Sequence, residues 1–260
     1  MYQFLHNLLA DKTGGEIFDL FGPWHFFYIV LTLVTVLSTL WILKNRRAEA
    51  RHKARRVFVC IAFGLYIADF FLMPLAFGVI YIEKLPFHAC TTMCVLCLLS
   101  EYVSFLKKYR LSFVLLGTIS NLIYLVYPAG VMWYAVHPLS YRVIQTLLFH
   151  SVMVVYGTLT LVLERDQIDL KRWRYDLAVL VGLTLWALLG NYAYNGESEG
   201  YSNFFNWFFV VRDPFNMFPE NIAPFIMPFL NIALLFAAEI LVHLVLQSAK
   251  RKSRNYAGMV

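Results

Sequence analysis

Apolar residues run along this 260-residue chain in blocks of about 20, and the charged residues fall between the blocks. A bilayer core is about 30 Å thick, and a helix needs about 20 mostly apolar residues to cross it. The blocks predict seven spans: Trp24–Leu43, Val57–Ile82, Pro86–Leu106, Leu111–Tyr127, Val143–Leu163, Tyr175–Asn195 and Asn221–Leu246. The fourth is the shortest. No strand-like alternation runs through the blocks, so helices are expected, each satisfying its own backbone polar groups inside lipid. The fold class predicted is an all-α, polytopic transmembrane bundle in a single membrane domain. Residues 1–23 form an external segment in this reading, residues 24–247 the seven-span bundle, and residues 248–260 a basic cytoplasmic tail. The first residues, MYQFLHNLLADKTGG, lack the basic and apolar regions of a cleaved signal; Tyr2, Phe4, Leu5, Leu8 and Leu9 fit a short interfacial helix. The segment YSNFFNWFFVVRDPFNMFP (residues 201–219) carries aromatics at almost every second position, which predicts a place in the outer interface or folded back over the helices.

Composition agrees with the pattern. The chain is 60% hydrophobic and 15% charged, against about 25% charged in soluble domains. The net charge of +6 does not point to nucleic acid, because the basic residues flank spans. Eighteen of the 22 Lys and Arg residues fall in the stretches 44–56, 107–110, 165–174 and 250–254, which the seven spans place on one side. The other side holds Lys12, Lys84, Arg142 and Arg212. The positive-inside rule then puts the N-terminus outside and the C-terminus in the cytoplasm, in a multi-pass plasma-membrane protein surrounded by lipid. Retinal attachment needs a mid-span lysine, and none is present, which argues against a rhodopsin.

Candidate chemistry lies in the polar residues that interrupt the apolar blocks. In EKLPFHACTTMCVLC (residues 83–97), Cys94 and Cys97 fall within about 40° of Cys90 at about 100° per residue. Glu101 continues their stripe, while His88 lies about 160° away from Cys90. The thiols therefore read as packing, no metal site or cofactor is implied, and His88 stands apart. Following Pro86, it is expected in the first turn of its helix, where the helix dipole favours neutral imidazole. His25, His150, Asn121 and Asn191 lie at a similar depth in the outer half of four other spans. Ionisable groups inside a membrane are costly and often functional. Asp69, near the middle of the second span, needs a partner or a proton. Glu239 and His243 sit four residues apart and are expected to face each other.

FGPWHFFYIV at the first span, LPFHAC at the third, LLFHS in the fifth and GNYAYN in the sixth resemble the YwaF-like integral membrane proteins of bacteria. That family in turn resembles eukaryotic acyltransferases that remodel ether phospholipids, and is grouped with fatty-acid-ester hydrolases that use a threonine and a histidine. The resemblance implies a multi-span helical fold and acyl transfer or hydrolysis on a lipid or fatty-acyl substrate, with the recurring histidines at His25, His88 and His150. One position departs from it. Where the acyltransferases carry a cysteine before the motif histidine, this chain has Phe87. Thr91 or Thr92 then remains as nucleophile, or the histidines activate water. The resulting expectation is an outer-leaflet site with His150 as general base and His88 orienting or shuttling the proton. Asn121 or Asn191 would donate to the oxyanion, with His25, Thr92 and Asp69 on the substrate side. The competing classes are a seven-span sensor or transporter, in which Asp69 would line a path, and a scaffold subunit.

Overall fold

The computed structural model describes residues 2–12, 15–78, 82–132, 135–194 and 206–257. Among them every regular element is helical: α1 (Tyr2–Leu9), α2 (Pro23–Leu43), α3 (Ala48–Phe77), α4 (Ala89–Tyr102), α5 (Arg110–Val126), α6 (Ala129–Met132), α7 (Tyr141–Leu163), α8 (Trp173–Ala193) and α9 (Ala223–Ala257), with short 3-10 turns between some of them. Among the described residues, six helical stretches are long and apolar enough to cross a membrane, and Ala89–Tyr102 is a shorter apolar helix. The fold is a polytopic helical one, as the apolar blocks predict.

The third block is the exception in length. The predicted span begins at Pro86, but the helix begins at Ala89 and stops at Tyr102, where Val103 turns extended (φ −92°, ψ 114°). Fourteen residues rise only about 21 Å at 1.5 Å each. The rest of the block, Ser104–Tyr109, is a 3-10 turn. Hydropathy stays high across Val103, so the block looks continuous in sequence although the helix is not.

The residues divide into two compact units, Met1–Lys84 with Gly117–Leu163, and Leu85–Leu116 with Glu164–Val260. In the first unit α7 packs against α2 and α3, and α1 packs against α3. Helix α2 buries only His25, Tyr28 and Thr32, a stripe at spacings of three and four residues. Its exposed positions include Phe26, Phe27, Val30 and Leu33. Apolar residues outward and polar ones inward is the arrangement lipid favours, since exposed side chains meet hydrocarbon and polar ones need protein partners. The segment before α2 is folded into this unit. Phe18 is buried and its N–H donates to the Val136 carbonyl at 2.8 Å, and Asp11 pairs with Arg142 at 3.0 Å. Phe18 belongs to a core cluster with Tyr28, Leu125, Val143 and Leu147. Gly157 lets α5 and α7 approach: a Cβ there would overlap the Thr118 side chain.

In the second unit α8 packs against α9. Trp186 Nε1 donates to the Pro86 carbonyl at 2.7 Å, and Arg172 donates to the Lys108 carbonyl at 2.8 Å. The start of α4 thus lies by the end of α8, and the two run antiparallel. Gly190 makes room for Phe87, whose ring would meet a Cβ there. Phe87 also packs on Trp186 and Trp207, with ring centroids 4.8 and 4.9 Å away. The aromatic-rich segment is described from Asn206 onward; residues 201–205 lie outside the described residues. From Asn206 it is a packed loop, with Trp207 and Val210 buried while Phe215 and Met217 are exposed. Asn206 Oδ1 accepts from the N–H groups of Val211 and Arg212, and the Asp213 carboxylate accepts from those of Phe215, Met217 and Phe218.

Candidate functional site

One turn of α5 organises the polar interior of the first unit. Asn121 Nδ2 donates to the Gly117 carbonyl one turn earlier at 2.6 Å. That fixes which way the amide points, because a carbonyl accepts only from the NH₂ end. Asn121 Oδ1 therefore faces His150 Nδ1, 2.7 Å away on α7. An oxygen acceptor there requires the proton on Nδ1, so the lone pair of the neutral ring is on Nε2. Tyr124, three residues further along α5, lies flat on the imidazole, with centroids 3.8 Å apart and planes inclined by 14°. His150 is thus held by its edge and by its face, and both it and Asn121 are buried.

Leu125, in the same turn, reaches the second histidine. Its carbonyl lies at the end of α5, where helical carbonyls lack intrahelical partners. His25 Nε2 donates to it at 2.6 Å. The other nitrogen, Nδ1, accepts from the N–H of Phe21 at 3.0 Å. Phe21 holds φ at +57°, a conformation uncommon for a bulky residue, and its ring stacks on His25 with centroids 5.5 Å apart. His25 is the third residue of α2, after Gly22 and Pro23 at the helix start. It ties the residue before the α2 N-cap to the first turn of α2, and satisfies the end of α5 as well. Both nitrogens serve the chain's own backbone. Thr32, two turns on, donates to the Tyr28 carbonyl, and its Oγ1 lies 2.7 Å from Ser151 Oγ, next to His150.

His25, Asn121 and His150 are thus brought together around α5. Asp69 lies in the same unit, on α3, paired with Lys84 at 2.8 Å. Lys84 also accepts a hydrogen bond through its carbonyl from Tyr66 Oη at 2.9 Å. The partner that a membrane carboxylate needs is a lysine in the connection after α3.

His88, Thr92 and Asn191 lie in the second unit. His88 is not in the first turn of α4, as Pro86 predicts, but is its N-cap, with extended backbone (φ −76°, ψ 147°). Thr91 Oγ1 donates to the His88 carbonyl at 3.2 Å, and Thr92 Oγ1 to the Pro86 carbonyl at 2.6 Å. Asn191 is spent on the aromatic loop: Nδ2 donates to the carbonyls of Ala187 and Trp207, and Oδ1 accepts from the Trp207 N–H at 3.0 Å. On the cysteine stripe Cys94, Cys97 and Glu101 are buried and Cys90 is half-buried.

Glu239 and His243 do not bond to each other. His243 Nε2 meets Asp176 Oδ2 of α8 at 2.9 Å, and neither Glu239 oxygen has a hydrogen-bond partner among the described residues. All three are buried. Asp176 escapes a sequence reading because it follows Arg172 and Arg174 and looks like part of a solvated flank. Tyr124 is missed for another reason: a tyrosine near a span end reads as an interfacial anchor. Its spacing of three from Asn121 was the available signal.

A family model, described as the TMEM164 family, matches residues 14–247. The chain belongs to the TMEM164 family. No curated protein and no solved structure matches it. Family and fold together make this TMEM164-family chain a multi-span membrane protein. The matched range includes every candidate residue named above, from His25 to His243. Chemically, the α5 turn of this TMEM164-family chain holds one imidazole through a side-chain amide and one through backbone groups.

Proposed function

We propose that this membrane protein acts on acyl lipids, transferring or hydrolysing an ester-linked chain, with His150 as general base. The observation that carries the reading is the His150–Asn121 pair: the amide fixes the proton on Nδ1, so the neutral ring carries its lone pair on Nε2. Nε2 takes the proton of water or of an acceptor alcohol as its oxygen attacks the ester carbonyl. The imidazolium then returns that proton to the leaving alcohol as the ester C–O bond breaks. Water gives a fatty acid and an alcohol; an acceptor alcohol gives a new ester. Direct attack suits this chain, since Thr91 and Thr92 both spend their hydroxyl protons on carbonyls. Asn121 is a positioning residue, its amide oxygen holding the ring and its NH₂ tied to Gly117. Likeness to YwaF-like proteins, and through them to ether-phospholipid acyltransferases, points to the same bond. The plasma membrane, with the N-terminus outside, is the setting that the basic loops favour.

The test is acyl release or exchange from labelled phospholipids by the full chain in nanodiscs. His150→Gln, which keeps a polar side chain but not a base, is expected to lower turnover by about 10²–10⁴-fold. Asn121→Ala is expected to cost less, about tenfold, and to shift the pH profile of turnover, since it frees the tautomer. Turnover that survives His150→Gln in a folded protein would end the reading.

A further inference from the structure

Helices α8 and α9 bury a titratable trio that the His150 chemistry does not use: Asp176 is 1% exposed, Glu239 0% and His243 4%. His243 lies one turn beyond Glu239 on the same face of α9 and reaches Asp176 across the contact with α8. The Asp176 carboxylate accepts from His243 Nε2. Both Glu239 oxygens and His243 Nδ1 have no hydrogen-bond partner among the described residues. We propose that this trio is a proton-binding site, with Asp176 as its carboxylate and Glu239 as a carboxylic acid that carries the bound proton. The site lies within the second unit, and the inference is independent of whether His150 turns substrate over.

Charge counting selects the ligand. With the Nε2 proton donated to Asp176, an unpartnered Nδ1 is better served by a lone pair than by a second N–H, since a buried donor without an acceptor is costly. The imidazole is then neutral and Asp176 holds the negative charge. An ionised Glu239 would put a second negative charge into the same contact and accept no hydrogen bond. Like charges oppose joint ionisation, and an unpaired ion inside a membrane is expensive. A proton on Glu239 removes that charge, and a neutral acid tolerates missing partners far better than a carboxylate does. Among the described residues no cation takes the proton's place. Besides α8, helix α9 packs against the turns Arg165–Gln167, Leu170–Arg172 and Trp207–Phe209. Of their charged groups, Arg165 and Lys171 are exposed, Asp166 pairs with Lys250 at 3.3 Å, and Arg172 donates to the Lys108 carbonyl. On α8 itself, Arg174 is exposed and lies over the Tyr175 ring. Lys250 stands roughly 10 Å along α9 from His243 at 1.5 Å per residue, so the water boundary marked by its pair with exposed Asp166 is close enough for proton exchange.

Infrared spectroscopy reads the proton directly, because a protonated carboxyl has a C=O stretch distinct from carboxylate and amide bands. The full chain is measured at neutral pH in maltoside micelles, which carry no ester carbonyl, with and without carbon-13 at the glutamate side-chain carboxyl. The expected result is an acid band that the glutamate label shifts and that Glu239→Gln abolishes. It should fade reversibly as pH rises, since a proton held by the packed site is released at high pH. Glu101→Gln is expected to keep the band. If Glu239→Gln fails to fold, survival of the label-shifted band in Glu101→Gln assigns it, because Glu164, the other buried glutamate among the described residues, is paired with Arg110. No acid band at neutral pH, a band that the glutamate label leaves in place, one that persists in folded Glu239→Gln, or one lost in Glu101→Gln overturns the proposal.

Discussion

His25 and His150 sit on different helices, both buried, both gripped by the same turn of α5. By residue type, depth and burial they are alike. Their partners separate them. His25 gives one nitrogen to the Leu125 carbonyl and the other to the Phe21 N–H, so it closes two helix ends. His150 is held through Nδ1 by a neutral amide and across its face by Tyr124. A ring whose two nitrogens both bond backbone is fixed in one tautomer and has no lone pair to offer. A ring steered by a side chain can be tuned and can act as a base. In a membrane protein, buried histidine alone is a weak sign of chemistry; what each ring nitrogen touches is a stronger one.

The largest effect expected is the loss of turnover on His150→Gln, and turnover that survives it would break the contrast, because only His25→Ala should leave turnover nearly unchanged. A third buried histidine extends the comparison. His243 is held by a carboxylate, Asp176, with Glu239 one turn away on its own helix. Breaking a buried pair by removing one partner costs about 3–5 kcal/mol in soluble proteins. Asp176→Ala is expected near the low end, about 3 kcal/mol, read by unfolding in mixed micelles. Glu239→Gln should cost less than about 1 kcal/mol, since neither oxygen has a hydrogen bond to lose among the described residues. A large loss from Glu239→Gln with little from Asp176→Ala would reverse the assignment.

His25→Ala is the direct counterpart to His150. It leaves the Phe21 N–H and the Leu125 carbonyl without partners and opens space at the start of α2. An interhelical hydrogen bond in a membrane averages about 0.6 kcal/mol and reaches about 1.7, so the bond to Leu125, the local bond to Phe21 and lost packing together come to about 2 kcal/mol. Turnover per folded molecule should stay within about twofold, because no proton moves through this ring. If His25→Ala silences turnover while stability is unchanged, the two histidines work as a pair and the contrast fails.

Much of this was legible in the chain. Block length predicted helices, and the depth of polar residues pointed to His25, Asn121 and His150 together. The partners were not legible, because several are backbone groups. The Leu125 carbonyl is available only because α5 ends there, and the Phe21 N–H points at His25 only because Phe21 adopts positive φ. Depth also gathered Asn191, whose amide holds the Trp207 backbone, and His88, the N-cap of α4 in the second unit. Spacing paired Glu239 with His243, but a carboxylate on the facing helix took the imidazole instead. Position along one helix ranks neighbours on that helix; it does not weigh them against groups on the next.

The smallest expected effect probes how rigidly α7 must be held for His150 to act. Thr32 on α2 bonds Ser151 at 2.7 Å, one residue beyond His150. Thr32→Val keeps the shape, removes that bond, and leaves Ser151 able to turn to a carbonyl of its own helix, as Thr160 does with Tyr156. The stability cost should be about 0.6 kcal/mol, the average for an interhelical bond in a membrane. Turnover is the more informative reading. The His150 ring is already fixed by Asn121 and Tyr124, both on α5, so a small relaxation between α2 and α7 should change turnover less than about twofold. A tenfold loss would mean that α2 holds the base in register, and that the structural role assigned to His25 reaches the chemistry after all.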